Sequence, residues 1–263
     1  MSWFHLHKHR HRQQSRVRRF YPGGDLMDFF NPPHNSDLDS PSTVTQPNSL
    51  EVHWFTVRDR TSLLAQLSDG VGGMLVVRVA SHSKHPGVPL VAGSGMSSEV
   101  LTLQDVLQLL GQRADAPWGV YLQIRTQQLL EASLELLHSA YSREELYRPI
   151  WISMEGLQST DDTKEFASKV EELFPYVTLV LQEPNWPPLI PETVTGLSQR
   201  VALRLDSLPE GQEALRSLVE LMDRYDLIVE DATKTSAAEF IKGLLTQREG
   251  GANTNLYMIP DQP

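Results

Sequence analysis

The chain has 263 residues, 40% of them hydrophobic and 21% charged, which is enough to bury one large core. Lys and Arg number 23 against 33 Asp and Glu, for a net charge of −10; residues 1–19 hold six of the basic residues and no acid, so the rest carries 17 against 33. An acidic body of this kind repels phosphate backbones and argues against nucleic acid as a partner, while the absence of cysteine excludes a disulfide framework and thiolate metal sites and leaves the compartment open.

No apolar run is long enough to span a membrane. The first residues carry no apolar stretch of signal-peptide length, and no Asn-x-Ser/Thr acceptor occurs. Residues 1–19 form a basic, His-rich tail in which His5, His7, His9 and His11 alternate with basic or apolar residues. A solvated tail explains this pattern more simply than a metal-binding arm. Residues 20–49 read as a docking segment and flexible linker: Tyr21–Phe30 (YPGGDLMDFF) is apolar enough to dock, and residues 31–49 are rich in Pro, Ser, Asn and Asp.

From residue 50 to 263 the chain alternates regularly. Strand-like runs fall at Leu50–Phe55, Gly73–Ala80, Gly119–Arg125, Pro149–Met154, Val177–Gln182, Arg200–Leu205, Asp226–Glu230 and Asn255–Ile259. Most are short, apolar and β-branched or aromatic, as buried parallel strands are. An additional run, Val88–Ala92, follows the second strand. Between the strands lie helical patterns: Leu130, Leu134, Leu137 and Tyr141; Phe166, Val170, Leu173 and Phe174; Leu215, Leu218, Val219, Met222 and Tyr225; Ala237, Ile241, Leu244 and Leu245. Segments 60–68, 103–112 and 191–199 complete the set. Ser142-x-x-Glu145, Ser207-x-x-Glu210 and Ser236-x-x-Glu239 read as helix starts. Eight strands with seven intervening helices imply a parallel sheet closed into a (β/α)8 barrel of the TIM type, with an open doubly wound sheet as the alternative.

In such a barrel the site lies at the C-terminal strand ends. Those ends carry Thr56; Val76, Arg78 and His82; Gly93, Ser94 and Gly95; Gln123 and Arg125; Ser153 and Glu155; Gln182, Glu183 and Asn185; Asp206; Glu230 and Asp231. The carboxylates Glu155, Glu183, Asp206, Glu230 and Asp231 form a conceivable metal or acid–base cluster, but acids before helices more often serve as caps. Arg78 and Arg125 are expected near the mouth, paired with Glu155 or Asp231. Together with Ser94 they form a candidate anion site. His53, His138, His82 and His85 read as isolated rather than as ligands.

Several segments together resemble the menorin family: LEVHW at Leu50–Trp54, VPLVA at Val88–Ala92 followed by LTLQDVL at Leu101–Leu107, WGVYLQI at Trp118–Ile124, RPIWIS at Arg148–Ser153, FPYVTL at Phe174–Leu179 and QRVA at Gln199–Ala202. The likeness spans about residues 20–262 and is greatest to the second, degenerate repeat of a two-repeat member of the family. It implies a barrel similar to phospholipase-C-like phosphodiesterases, which hold a metal ion and His acid/base groups at the mouth. The family pattern has a His after strand one, a Glu-x-Asp pair on strand two, a His in the following loop, a Lys-x-Asp on strand three and an Asn on strand four. The matching positions here read Thr56, Val76 and Arg78, Gly93, Tyr121 and Gln123, and Ser153; the Gly-Trp after strand five is disrupted, although Trp186 lies nearby.

The resemblance therefore implies a pseudoenzyme that has lost the metal and acid/base positions and needs no cofactor. It would act as a binding module for a protein partner or a small anionic ligand in an extracellular or membrane-associated setting. The alternatives are a metal-dependent hydrolase using Glu155, Glu183, Asp206 and Asp231, and a structural repeat supporting an active partner repeat.

Overall fold

A computed structural model of the chain describes residues 18–31, 52–95, 99–183, 194–205, 211–230 and 256–259. Nine strands occur among them: β1 (Trp54–Thr56), β2 (Gly73–His82), β3 (His85–Val91), β4 (Trp118–Ile124), β5 (Ile150–Met154), β6 (Thr178–Glu183), β7 (Val201–Leu205), β8 (Asp226–Glu230) and β9 (Leu256–Ile259). Eight of them pair in parallel in the order β1-β2-β4-β5-β6-β7-β8-β9. The additional run of the sequence is β3, which turns back antiparallel on β2.

The sheet curls until its two ends approach each other. The Trp54 ring of β1 lies edge-on to the Tyr257 ring of β9 at 6.3 Å, across the inside of a nearly closed (β/α)8 barrel. This excludes the open sheet. Eight parallel strands have no free faces to spare: one side of each strand must fill the barrel and the other must meet a helix.

Helices follow the strands where side-chain caps start them. α1 (Leu26–Phe30) is capped by Asp25, α2 (Arg60–Asp69) by Asp59, α3 (Leu103–Gln112) by Thr102, α4 (Gln127–Ser142) by Thr126 and α5 (Thr160–Leu173) by Ser159; α6 (Gln212–Met222) has no side-chain cap. At α3 the cap is reciprocal, with Thr102 accepting from Asp105 N–H and Asp105 from Thr102 N–H. The expected helix start at Ser142 is wrong. Ser142 ends α4, and Glu144 two residues later has φ 59°, which no continuing helix permits. The helix starts expected at Ser207 and Ser236, and the helical face at Ala237 to Leu245, lie outside the described residues.

Strand alternation divides the core in two. Outward side chains, such as Leu75, Val77, Val120, Leu122, Ile152, Leu179 and Leu203, pack against Leu103, Val106, Leu110, Leu130, Leu134, Phe166 and Val170 of the helices. Inward side chains form a second cluster of Trp54, Met74, Val76, Tyr121, Trp151, Val180, Ala202, Ile228 and Tyr257. Trp151 sits at its centre, with ring centroids 5.7 Å from Trp54, 6.0 Å from Tyr121 and 5.2 Å from Tyr257. Four large rings in tilted and edge contact fill the middle of the barrel, so the interior is solid below the mouth.

The segment before the barrel closes the opposite end. Leu26 of α1 joins the inner cluster, and Ile150 N–H at the start of β5 donates to Pro22 C=O at 2.9 Å. Asp25 caps α1 and faces Arg200 at 3.6 Å, while Arg200 also donates twice to the buried Asp226, at 2.6 and 2.8 Å. Arg200 precedes β7 and Asp226 opens β8, so this network lies at the N-terminal strand ends, away from the mouth. Burial resists the Arg200 charge, yet the bonds to Asp226 and the field of Asp25 win and raise its pKa.

Candidate ligand site at the barrel mouth

Register decides which side chains meet at the mouth. Thr56 pairs with Val76, Val76 with Tyr121, and Tyr121 with Trp151; one step higher, Arg78 pairs with Gln123 and Gln123 with Ser153. Val76, Tyr121 and Trp151 belong to the inner cluster. Two residues further along each strand, Arg78, Gln123 and Ser153 therefore point to the same side and reach the mouth. All three are half-buried. Thr56 is buried at the first strand's end, and Tyr121 lies entirely below the surface.

The β2–β3 hairpin brings Gly93 beside this row. Ala92 N–H donates to Arg78 C=O at 2.8 Å, and the chain then turns through Gly93 at φ 83°. A side chain at Gly93 would meet nothing within 4 Å but would have to adopt a left-handed backbone. All the positions matched to the family pattern in β1, β2, β4, β5 and the β3 turn thus converge on one part of the rim. The rim there carries a guanidinium, an amide and hydroxyls, with the Val76 side chain and the Tyr121 phenol in the buried layer below, and none of these positions holds a carboxylate or an imidazole.

The other two candidate anion ligands are placed differently. Arg125 is 53% exposed and pairs with Glu155, itself 57% exposed, at 3.8 Å. That pair forms as expected, on the surface, where such pairs contribute little. The Ser94 hydroxyl is taken up by its own turn: it donates to Val91 C=O at 2.7 Å and accepts from Leu101 N–H at 3.1 Å. By contrast, no hydrogen bond or ion pair engages the side chains of Arg78, Gln123 or Ser153 among the described residues.

The carboxylates do not gather in the described part of the rim. Glu155 is exposed on the turn after β5, whereas Glu183 is buried and lies on the helix-facing side of β6 with Leu179 and Leu181. Asn185, Asp206 and Asp231 lie outside the described residues. Among the described residues no three His, Asp or Glu side chains are arranged to hold a metal ion. His53 and His138 are exposed, with His53 against Trp118 at 5.6 Å. His82 and His85 face each other at 6.2 Å at the hairpin tip, where His82 Nδ1 accepts from Lys84 N–H at 3.1 Å.

Sequence reasoning missed Arg204 and Arg148. Arg204 lies next to Gln182 in the ladder and two residues beyond the inward Ala202, on the far side of the mouth from Arg78. Arg148 is 3% exposed and donates to four backbone carbonyls: Leu110 at 3.1 Å, Arg113 at 3.2 Å, Ala116 at 3.0 Å and Trp118 at 2.6 Å. Burial lowers its pKa to about 10, with Asp115 opposing, so it stays charged at neutral pH. Its place at the N-terminal end of β5 makes it a fold-holding residue.

Fold and rim together define an α/β barrel of the TIM type with a polar, partly cationic mouth over a sealed aromatic interior. The model of the menorin N-terminal domain matches residues 48–195, more than half of the chain. The chain belongs to the menorin family. β7, β8 and β9 lie beyond the matched stretch and complete the ring of strands.

Proposed function

We propose that this member of the menorin family is a catalytically degenerate, phosphodiesterase-like barrel that works as a binding module. The observation that carries the proposal is the row Arg78–Gln123–Ser153 over Thr56, Val76 and Tyr121. It stands where the family resemblance calls for metal ligands and acid/base groups. A hard divalent ion needs about six oxygen ligands, several of them carboxylates. The positions offer two hydroxyls, a phenol and one amide beside a guanidinium. A divalent ion one strand spacing from Arg78, about 5 Å, would be repelled by about 7 kcal/mol at an effective dielectric of ~20. The residues do not fit the metal.

Proton transfer fares no better. Neither Thr56 nor Gly93 can serve as the general acid or base that a His supplies near pH 7. The lining left behind favours recognition, of a protein partner or a small anion, in the extracellular or membrane-associated setting that the resemblance implies. Among the described residues no helix is long and apolar enough to cross a membrane.

The test is an assay of the purified chain on generic phosphodiesters with calcium, magnesium or manganese. The proposal expects no turnover above background. Turnover abolished by Glu155→Ala would instead establish a hydrolase with relocated carboxylates.

A further inference from the structure

We propose that the mouth binds a phosphate group without a metal ion, with Arg78 as the charged anchor and Gln123 and Ser153 as the neutral hydrogen-bonding partners. The proposal deepens the binding-module reading and rests on it.

Three observations carry it. First, β2, β4 and β5 place the three side chains side by side in one register row, so about 10 Å of rim holds a guanidinium, an amide and a hydroxyl. Second, no hydrogen bond or ion pair engages any of the three among the described residues. A half-buried guanidinium normally finds an acid, and Glu155, on the turn after β5, is paired with Arg125. Third, the floor is closed. Trp151 and Tyr121 lie one step below Ser153 and Gln123 and are fully buried, so a ligand meets the rim rather than sinking into the barrel.

The chemistry of the row selects the ligand. Arg78 offers a planar fork of donors that matches two oxygens of a tetrahedral oxyanion. The Gln123 amide and Ser153 hydroxyl can each donate to a further oxygen. A carboxylate would be satisfied by the arginine alone and would leave the other two donors idle, so a phosphate monoester or inorganic phosphate uses the row more fully. The acidic balance of the chain works against long-range attraction of such a ligand. Binding must therefore come from short-range hydrogen bonds, and it should be less sensitive to salt than an ion-atmosphere effect.

The test is a titration of the full chain with inorganic phosphate, followed by calorimetry and by the thermal midpoint, with sodium acetate and sodium chloride at matched ionic strength as controls. The proposal expects saturable binding of phosphate, with acetate at least several-fold weaker and chloride without effect. Arg78→Gln should weaken phosphate binding tenfold or more. Gln123→Ala and Ser153→Ala should each weaken it by a smaller factor, and these two variants keep the test intact if Arg78→Gln fails to fold. Phosphate binding that is absent, unsaturable or equal in wild type and the folded variants overturns the proposal. Acetate binding as tight as phosphate overturns the choice of ligand. None of these results bears on turnover, so a failure here is distinguishable from a failure of the binding-module reading, which the hydrolysis assay decides.

Discussion

Replacing Arg148 by methionine should destabilise the barrel without altering its mouth. The guanidinium gathers the carbonyls of Leu110, Arg113, Ala116 and Trp118, tying the end of α3 and the start of β4 to the segment that leads into β5. Each hydrogen bond to a charged donor contributes about 1.5–3 kcal/mol, and the burial of the cation offsets much of that sum. Methionine fills a similar volume but removes the charged donor and leaves the Leu110, Arg113 and Ala116 carbonyls with only their backbone N–H partners, for a net loss of about 3–5 kcal/mol. For a domain of this size that corresponds to a fall in Tm of about 6–20 °C. Differential scanning calorimetry or far-UV circular dichroism reads it directly. Arg148→Lys should fall between the two, since an ammonium keeps the charge but cannot fork to four carbonyls. A midpoint for Arg148→Met within about 2 °C of wild type would refute the reasoning, because it would mean that the carbonyls find other partners at no cost.

Trp151→Ala removes the ring at the centre of the inner cluster and should cost about 3–5 kcal/mol in denaturant unfolding, with loss of the near-UV aromatic signal; retained stability would mean that the barrel interior is not packed as described. Asp25 gives a pH-dependent prediction. Burial raises its pKa, with Arg200 and the Met27 N–H opposing. A raised carboxyl pKa means that the folded state holds more protons than the unfolded state over the acid range, so this term favours folding at low pH and is lost as pH rises through the folded pKa. Asp25→Asn keeps the α1 cap and should gain stability relative to wild type as pH rises from acid to neutral; a gain in the opposite direction contradicts the assignment.

Much of the fold was legible because parallel strands that are buried on both faces read as short apolar β-branched runs, and these runs match the observed strands to within a few residues. The hairpin was harder to read. Val88–Ala92 is visible as a run, but Pro86 and Gly87 hide that the antiparallel strand starts at His85. Ser142-x-x-Glu145 misled because a local pattern matched a helix start while α4 had not yet ended; the reciprocal cap that does form, Thr102 with Asp105, uses the same logic with a shorter acid. At the mouth, the strand ends in the sequence placed Arg78, Gln123 and Arg125 near the rim, but did not reveal that Arg78 and Gln123 would share one register row, that Arg125 would turn out to the surface or that the Ser94 hydroxyl would be spent on its own turn. Arg148 and the Arg200–Asp226 pair were out of reach, since their partners lie 26 to 38 positions away and no periodicity links them.

The most direct test of the account is a calorimetric titration of the full chain with calcium, magnesium and manganese. The account predicts no saturable uptake at the mouth, because a guanidinium, an amide and hydroxyls stand where oxygen-rich acids would be needed. A stoichiometric ion whose binding is removed by changing Glu155, or is strengthened in Arg78→Gln, would contradict it.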